Sequence, residues 1–288
     1  MEKIELPLNE VLEAYNKFGS INKVAKYFQV SWGVAKKACD QVGIVSPPKN
    51  QHCSFKEYNL FEKISTEEEA YWLGLLYADG SIRSDRNEIS LGLQEKDFEL
   101  VEKFQSFVGG DNKIQIKKKE KVKTHLAPDE HEIIAKQNFY TFSFSCKKTK
   151  ENLIRLGCFP KKSKIIHCPT EEQVPNHLFK HFMRGFTDGD GSVRWGKRKD
   201  FVLTSASENF LIESTKRLGI FNYGVIYKDQ FRISKKEIVY KILSLLYENS
   251  SIYMQRKYNV FLLSNQAVSS QIAGNSLNKD NQQPSSNN

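Results

Sequence analysis

The feature that most constrains the fold of this chain is an apolar run that occurs twice. The first copy spans Tyr71 to Ser81 and the second spans Phe182 to Ser192. Each copy ends with an aspartate, a glycine and a serine, so that Asp79 corresponds to Asp190. An apolar run that closes on a glycine predicts a helix that stops there. The chain therefore contains an internal repeat.

Small residues recur four positions apart in both copies. They are Gly74 with Ala78, and Gly185 with Gly189. This spacing places them in one stripe along each helix, where two helix backbones can approach closely. Pairing of the two stripes would bring the C-terminal ends of the helices together, and with them the two aspartates.

The segments Trp72 to Gly80 and Met183 to Gly191 resemble the nine-residue signature of the LAGLIDADG homing endonucleases. The resemblance covers about residues 60–264. It implies an α+β fold with two pseudo-symmetric αββαββα units, in which the motif helices pack at a pseudo-two-fold axis beneath saddle-like antiparallel sheets. Strand-like segments after each motif agree with this order.

The same resemblance implies a metal site. Asp79 and Asp190 would bind Mg²⁺ or Mn²⁺, assisted by the backbone carbonyls of Ala78 and Gly189. Two nearby carboxylates are suitable ligands for hard divalent cations, which can stabilise the charges that develop during phosphodiester hydrolysis. The counterpart of Asp188 in the first copy is Tyr77, which departs from the usual acid of the motif.

The resemblance also implies supporting catalytic residues. A polar residue that positions water is expected at Gln94, with Ser205 at the corresponding point of the second unit. A basic residue is expected where the last helix of each unit begins. The full predicted catalytic set is Asp79, Asp190, Gln94, Lys147 (or Lys148) and Lys235 (or Lys236).

The charge balance favours a polyanionic partner, since the net charge is +9 and the pI is about 9.1. Basic residues cluster on the predicted strands or their connecting loops, and a β-ribbon fits the DNA major groove. The alternative is a charge run that only improves solubility. The predicted DNA-binding residues of the sheets are Lys113, Lys117, Lys119, Lys197, Arg198 and Lys199.

Residues 1–47 predict a small helical domain. The segment from Ile21 to Ser31 resembles a helix-turn-helix DNA-binding motif, and Lys36 and Lys37 of the third helix are suited to phosphate contacts. The alternative is a packing or protein-contact module, because this segment holds six basic and five acidic side chains and is nearly neutral.

Composition divides the rest of the chain. Two prolines predict a linker at residues 48–59. The first motif unit is expected at 60–170 and the second at 171–264. Residues 265–288 are rich in Asn, Ser and Gln, which predicts a disordered tail.

The five cysteines are odd in number and form no C-x-x-C pair, which predicts reduced thiols in a cytoplasmic protein. No signal-peptide region or membrane-spanning run is present, so no membrane partner is expected.

These features predict a site-specific, divalent-metal-dependent endonuclease that cuts double-stranded DNA at a long asymmetric site. A monomer is expected because one chain holds both units. The alternative is a non-cleaving nucleic-acid binder on the same scaffold, either a maturase that binds intron RNA or a transcriptional regulator.

Overall fold

The computed structural model describes residues 6–44, 59–109, 112–118, 121–123, 132–134 and 138–280. Residues 6–44 share one hydrophobic core, and a second, larger core lies in the segments from residue 59 onward. All of the predicted linker except Asn59 lies outside the described residues, as does Lys119.

Residues 6–44 form three helices, α1 (Leu8–Phe18), α2 (Ile21–Tyr27) and α3 (Trp32–Gln41). Gly19 ends α1 in the left-handed conformation, with φ of 66°. The Ser31 hydroxyl caps α3 by accepting a hydrogen bond from the Val34 amide. The predicted order of three helices is therefore present.

The first motif unit has the order helix, two strands, helix, two strands, helix. The elements are α4 (Glu67–Asp79), β1 (Gly80–Ile82), β2 (Glu88–Gln94), α5 (Phe98–Val108), β3 (Gln115–Lys117), β6 (Phe139–Ser145) and α6 (Lys147–Arg155). The four strands form an antiparallel sheet in the order β1-β2-β6-β3.

The second unit repeats this order of elements. They are α7 (Asn176–Asp190), β7 (Gly191–Trp195), β8 (Lys199–Thr204), α8 (Glu208–Arg217), β9 (Val225–Tyr227), β10 (Gln230–Ile233) and α9 (Lys236–Tyr247). The antiparallel sheet has the equivalent strand order β7-β8-β10-β9. The predicted α+β architecture of two αββαββα units is confirmed.

One face of each sheet packs on the helices, and the other face does not. On β2, for example, Ile89, Leu91 and Leu93 are buried, whereas the intervening residues are more exposed. We call the face that points away from the hydrophobic core the outer face of the sheet.

The two motif helices pack backbone against backbone. A methyl group built on Gly74 would lie 1.9 Å from the carbonyl oxygen of Phe182, and one on Gly185 would lie 2.0 Å from the carbonyl oxygen of Tyr71. Only glycine fits at such positions. The predicted contact through small residues is confirmed, and it explains why eight consecutive residues of α4, Ala70 to Tyr77, are all buried.

The glycine that follows each motif aspartate has a different role from the one expected. Gly80 has φ of −73° and Gly191 has φ of −97°, so neither adopts the left-handed conformation of a helix stop. Glycine is needed at these positions because there is no room for a side chain: a methyl group on Gly80 would lie 2.5 Å from the carbonyl oxygen of Leu76. The chain passes from helix directly into strand with its backbone pressed against the last helical turn.

Two further features differ from what composition predicts. The segment between β3 and β6 is rich in polar residues, which favours a loop, but it contains a hairpin of β4 (Lys121–Lys123) and β5 (Glu132–Ile134). Residues 265–280 of the predicted tail continue a helix, α10 (Gln255–Asp280), whose first turns contain the buried Phe261 and Ser264, and the rest of the tail lies outside the described residues. Once a helix is nucleated by packing, polar residues can extend it.

All four cysteines among the described residues are free thiols. In the part of the chain that the structure describes, no helix is both long enough and apolar enough to cross a membrane.

Candidate active site at the paired helix ends

The last residues of α4 and α7 are Asp79 and Asp190, and the packing of the two helices brings these ends together. A methyl group on Gly189 would lie 2.3 Å from Cβ of Ala78 and 2.8 Å from Oδ2 of Asp79. The carboxylate of Asp79 therefore lies against the backbone immediately before Asp190. The predicted meeting of the two helix ends is confirmed.

The two carboxyl groups are recessed. Their side chains reach solvent, yet protein surrounds them closely enough that burial, followed by the negative charge of Asp190, raises the pKa of Asp79 to about 6. Burial also raises the pKa of Asp190. Both acids therefore ionise less readily than they would in water, and a bound cation would favour their charged forms.

Two buried lysines lie at the same helix ends. The Nζ of Lys162 donates to the carbonyl of Gly80, and the Nζ of Lys257 donates to the carbonyls of Thr187, Asp188 and Gly191. Gly80 and Gly191 are equivalent in the two motif copies, so both lysines bond the residue that follows a motif aspartate, and Lys257 in addition bonds two carbonyls of the last turn of α7. A cation is favourable at a helix C-terminus.

The positive charges of both lysines oppose the rise in the pKa of each aspartate. Burial lowers the pKa of Lys257 to about 8, although the charge of Asp188 acts against this shift. Two carboxylates and two ammonium groups thus share one recess.

Asp188 is a structural acid. Its carboxylate accepts hydrogen bonds from the Tyr71 hydroxyl at 2.8 Å, the Tyr247 hydroxyl at 2.7 Å and the Met254 amide at 2.7 Å. These bonds join α4, α7 and the segment before α10 within the core. In the first copy the equivalent Tyr77 is also buried and donates to the carbonyl of Leu156. The departure from the motif at Tyr77 therefore leaves the paired aspartates intact.

A cavity of about 270 Å³ opens beside Asp79 and Gly189. Gln94, predicted from the sequence to support catalysis, is among the residues that line this cavity. Asp97 and Arg256 line it too, and the Arg256 guanidinium holds the Asp97 carboxylate at 3.0 Å. By contrast, Ser205 is buried, and its hydroxyl accepts a hydrogen bond from the Ser207 amide.

The structure does not bring Lys147 or Lys235 to the aspartates. Lys147 comes just after β6, at the end of that strand that pairs with Glu88 of β2. Gln94, which lines the cavity beside Asp79, is at the opposite end of β2, and at about 3.4 Å per residue the two ends of β2 are roughly 20 Å apart. The exposed Lys147 lies near Glu151 instead. Lys235 likewise comes just after Ile233, at the far end of β10 from Gln230, and it is Gln230 that lies nearer the strand position paired with Gly191.

The lysines at the site come after the last helix of each unit, not at its start. Lys162 lies seven residues beyond Arg155, and Lys257 lies ten residues beyond Tyr247. Sequence reasoning missed both, because a lysine in a connecting segment normally predicts solvent exposure. The only available signal was that both units keep a lysine after their last helix.

The donor set at the helix ends fits a hard divalent cation. It consists of carboxylate and carbonyl oxygens, which are the ligands that Mg²⁺ and Mn²⁺ prefer. Among the residues that the structure describes, no group of three His, Cys, Asp or Glu side chains is arranged to hold a metal. Mg²⁺ is commonly bound by one or two carboxylates together with substrate phosphates, so two aspartates suffice.

The predicted DNA-binding residues lie at several places. Lys117 is exposed on β3, and Lys113 lies just before this strand. Lys197 and Arg198 are exposed in the turn between β7 and β8. Lys199 folds back over the Trp195 ring, with its Nζ 6.0 Å from the ring centre. In the N-terminal helices, Lys37 is exposed and Lys36 pairs with Asp40 at 2.6 Å.

Comparisons with protein-family models and with curated proteins found no match. Solved structures similar to this chain include the I-LtrWI LAGLIDADG homing endonuclease bound to target DNA, with 13% identity and a TM-score of 0.44, covering 71% of this chain and 92% of that one. The I-SmaMI LAGLIDADG homing endonuclease bound to cleaved DNA has 13% identity and a TM-score of 0.42, covering 75% of this chain and 92% of that one.

A third similar structure is the N-terminal LAGLIDADG domain of DUF199/WhiA, with 13% identity and a TM-score of 0.39, covering 74% of this chain and 99% of that one. All three are LAGLIDADG proteins by name, and the two motif copies of this chain resemble the signature of that family.

Proposed function

We propose that this protein is a divalent-metal-dependent endonuclease that hydrolyses phosphodiesters in double-stranded DNA at a long asymmetric site. The observation that carries the proposal is the meeting of Asp79 and Asp190 at the ends of two helices packed backbone to backbone. Lys162 and Lys257 reinforce it, since lysines are rarely buried without a partner or a function.

The metal would be held by Asp79 and Asp190, with the carbonyls of Ala78 and Gly189 as further oxygen ligands. A bound Mg²⁺ or Mn²⁺ would supply charge stabilisation on the attacking and leaving oxygens of the phosphodiester. Because each aspartate comes from a different unit, both units are needed to complete the site.

The side chains around the aspartates have separable tasks. The hydrogen bonds of Lys162 and Lys257 to the carbonyls at the helix ends fix the backbone that carries the acids. The same ammonium groups place positive charge where a DNA phosphate would enter. Gln94 faces the adjoining cavity, where its amide can orient a water molecule toward the phosphate.

DNA would lie across the outer faces of the two sheets. This placement is supported by the net charge of +9 and by exposed basic residues, among them Lys117 on the first sheet and Arg194 on the second. Each motif helix leads directly into the first strand of a sheet, so the acids lie next to these faces. The two units differ in loop length and in outer-face residues, which implies an asymmetric target.

The test is cleavage selection on a randomised double-stranded DNA library with Mg²⁺, followed by sequencing of the cut ends. We expect one long, non-palindromic sequence to be enriched, with no cutting in EDTA. Binding without cleavage in Mg²⁺ and in Mn²⁺ would contradict the endonuclease and favour the non-cleaving binder.

A further inference from the structure

The outer face of the second sheet carries a charged cluster that the proposed hydrolysis does not use. Asp200 of β8 has a side chain only 6% exposed, although it lies on the face that points away from the core. It is covered by two arginines, Arg194 of β7 and Arg232 of β10. Within the described residues, this carboxylate is buried by the two arginines that bond to it.

The strand register explains how both arginines reach one acid. Arg194 lies directly opposite Asp200, and Arg232 lies opposite Val202, two residues farther along β8. Alternate residues of a strand share a face, so all three charged side chains stand on the outer face. The Nε of Arg194 donates to Oδ1 of Asp200 at 2.6 Å, and Nη1 of Arg232 donates to Oδ2 at 3.0 Å.

The two guanidinium groups converge. Nη2 of Arg194 and Nη1 of Arg232 both donate to the same oxygen, Oδ2 of Asp200. Two donors that share one acceptor lie within about two hydrogen-bond lengths, roughly 6 Å. Since successive base pairs are about 3.4 Å apart, the two groups match positions one or two base pairs apart.

Each arginine keeps donors for a ligand. A guanidinium has five N–H donors, and Arg194 uses Nε and Nη2 toward Asp200, which leaves Nη1 and the second hydrogen of Nη2. These remaining N–H groups at the tip of the guanidinium can pair bidentately with O6 and N7 of guanine. Nη2 of Arg232 is held at 3.1 Å by the Gln230 side chain, so its plane is fixed as well.

We propose that Arg194 and Arg232 read two guanines, one or two base pairs apart, in the half of the target that lies on the second sheet, with Asp200 as the residue that positions both. The proposal rests on the proposed DNA-binding function. Because the side chains of Arg194 and Arg232 are still 46% and 40% exposed, the pair is open to a partner while being held in place.

The first sheet offers a contrasting surface. The residues on the outer faces of β2 and β6 include Ser90, Gln94, Thr141 and Ser143, and the Phe139 ring lies across Gly92. Hydroxyl groups discriminate among bases less sharply than a bidentate arginine does.

The experiment compares base preferences of five proteins by binding selection in Ca²⁺ on a randomised duplex library. These are the full-length wild type and its Arg194→Ala, Arg232→Ala and Asp200→Asn variants, with Lys197→Ala as a matched loss of positive charge in the neighbouring turn. Thermal melting of each variant confirms that it is folded.

We expect two guanines in the wild-type site, each losing roughly 5- to 150-fold preference in one of the arginine variants. Asp200→Asn should weaken preference at both positions, whereas Lys197→Ala should weaken binding to all sequences alike. Unchanged base preferences in folded arginine variants would overturn the inference and leave the proposed function standing. Absence of DNA binding by the wild type would overturn both.

Discussion

The most exacting test of the helix pairing is Gly185→Ala. The added methyl group would lie 2.0 Å from the Tyr71 carbonyl oxygen and 2.8 Å from the Leu75 amide nitrogen. Ordinary contact begins near 3.4 Å, so the two helices would have to separate by about 1.4 Å, the difference between 3.4 and 2.0. Both obstructing atoms belong to the backbone of a buried helix and cannot rotate away.

Overpacking of this kind costs about 1–3 kcal/mol and occasionally more. Alanine improves helix propensity by about 1 kcal/mol over glycine, which offsets part of the cost. Because the obstructing atoms are backbone, we expect the cost to lie at the upper end of this range, which leaves a net loss of about 2 kcal/mol in the free energy of unfolding, measured by urea denaturation. The cleavage rate should fall further than stability requires, because the separation also moves Asp190 away from Asp79.

Gly196→Ala is the matched control, since no atom lies within 4 Å of its added methyl group and its φ is not in the left-handed region. It should leave stability and cleavage nearly unchanged. If Gly185→Ala behaves like Gly196→Ala in both assays, the close backbone packing of the motif helices is wrong.

Three further outcomes follow from the recess between the helix ends. Mg²⁺ or Mn²⁺ should support cleavage and Ca²⁺ should support only binding, because oxygen ligands select hard cations and Ca²⁺ has looser geometry; full activity in EDTA would contradict this. In the metal-free protein, ¹³C NMR should show the Asp79 carboxyl titrating near pH 6, above its ordinary pKa of 3.8, with a lower midpoint in Asp190→Asn. The folded state then holds this proton more tightly than the unfolded chain, so this group makes folding less favourable as the pH rises from about 4 to 6. Lys257→Met should lose about 1–3 kcal/mol of stability by leaving buried carbonyls without a donor, whereas the exposed Lys241→Met should not; equal melting temperatures would refute the capping role.

The architecture could be predicted from the sequence because it depends on local patterns, namely the spacing of small residues in each motif helix and the alternation of apolar residues in the strands. In each motif copy two small residues lie four positions apart, Gly74 with Ala78 and Gly185 with Gly189, and this spacing predicts that the two helices pack together. The packing in turn brings Asp79 close to Asp190. The alternating strands and the repeat order then follow from periodicity.

Other features depend on contacts that no local pattern reveals. Lys162 and Lys257 reach the site only because the chain folds back after each unit, and their burial is decided by carbonyl acceptors more than sixty residues away in sequence. Lys147 matched the expected kind of residue, but strand register places it at the far end of the sheet. The helical continuation beyond residue 265 depends on the packing of Phe261, which composition does not show.

The central claim is that one carboxylate from each unit forms a shared catalytic site, and cleavage by Asp79→Asn and Asp190→Asn tests it most directly. The assay measures nicking and double-strand cutting of the selected target in Mg²⁺, with affinity measured in parallel by gel shift. Each variant should lose cleavage while binding DNA within a few fold of the wild type, because a metal ligand is removed and the sheet surfaces are untouched. Full double-strand cutting by either variant would contradict the account.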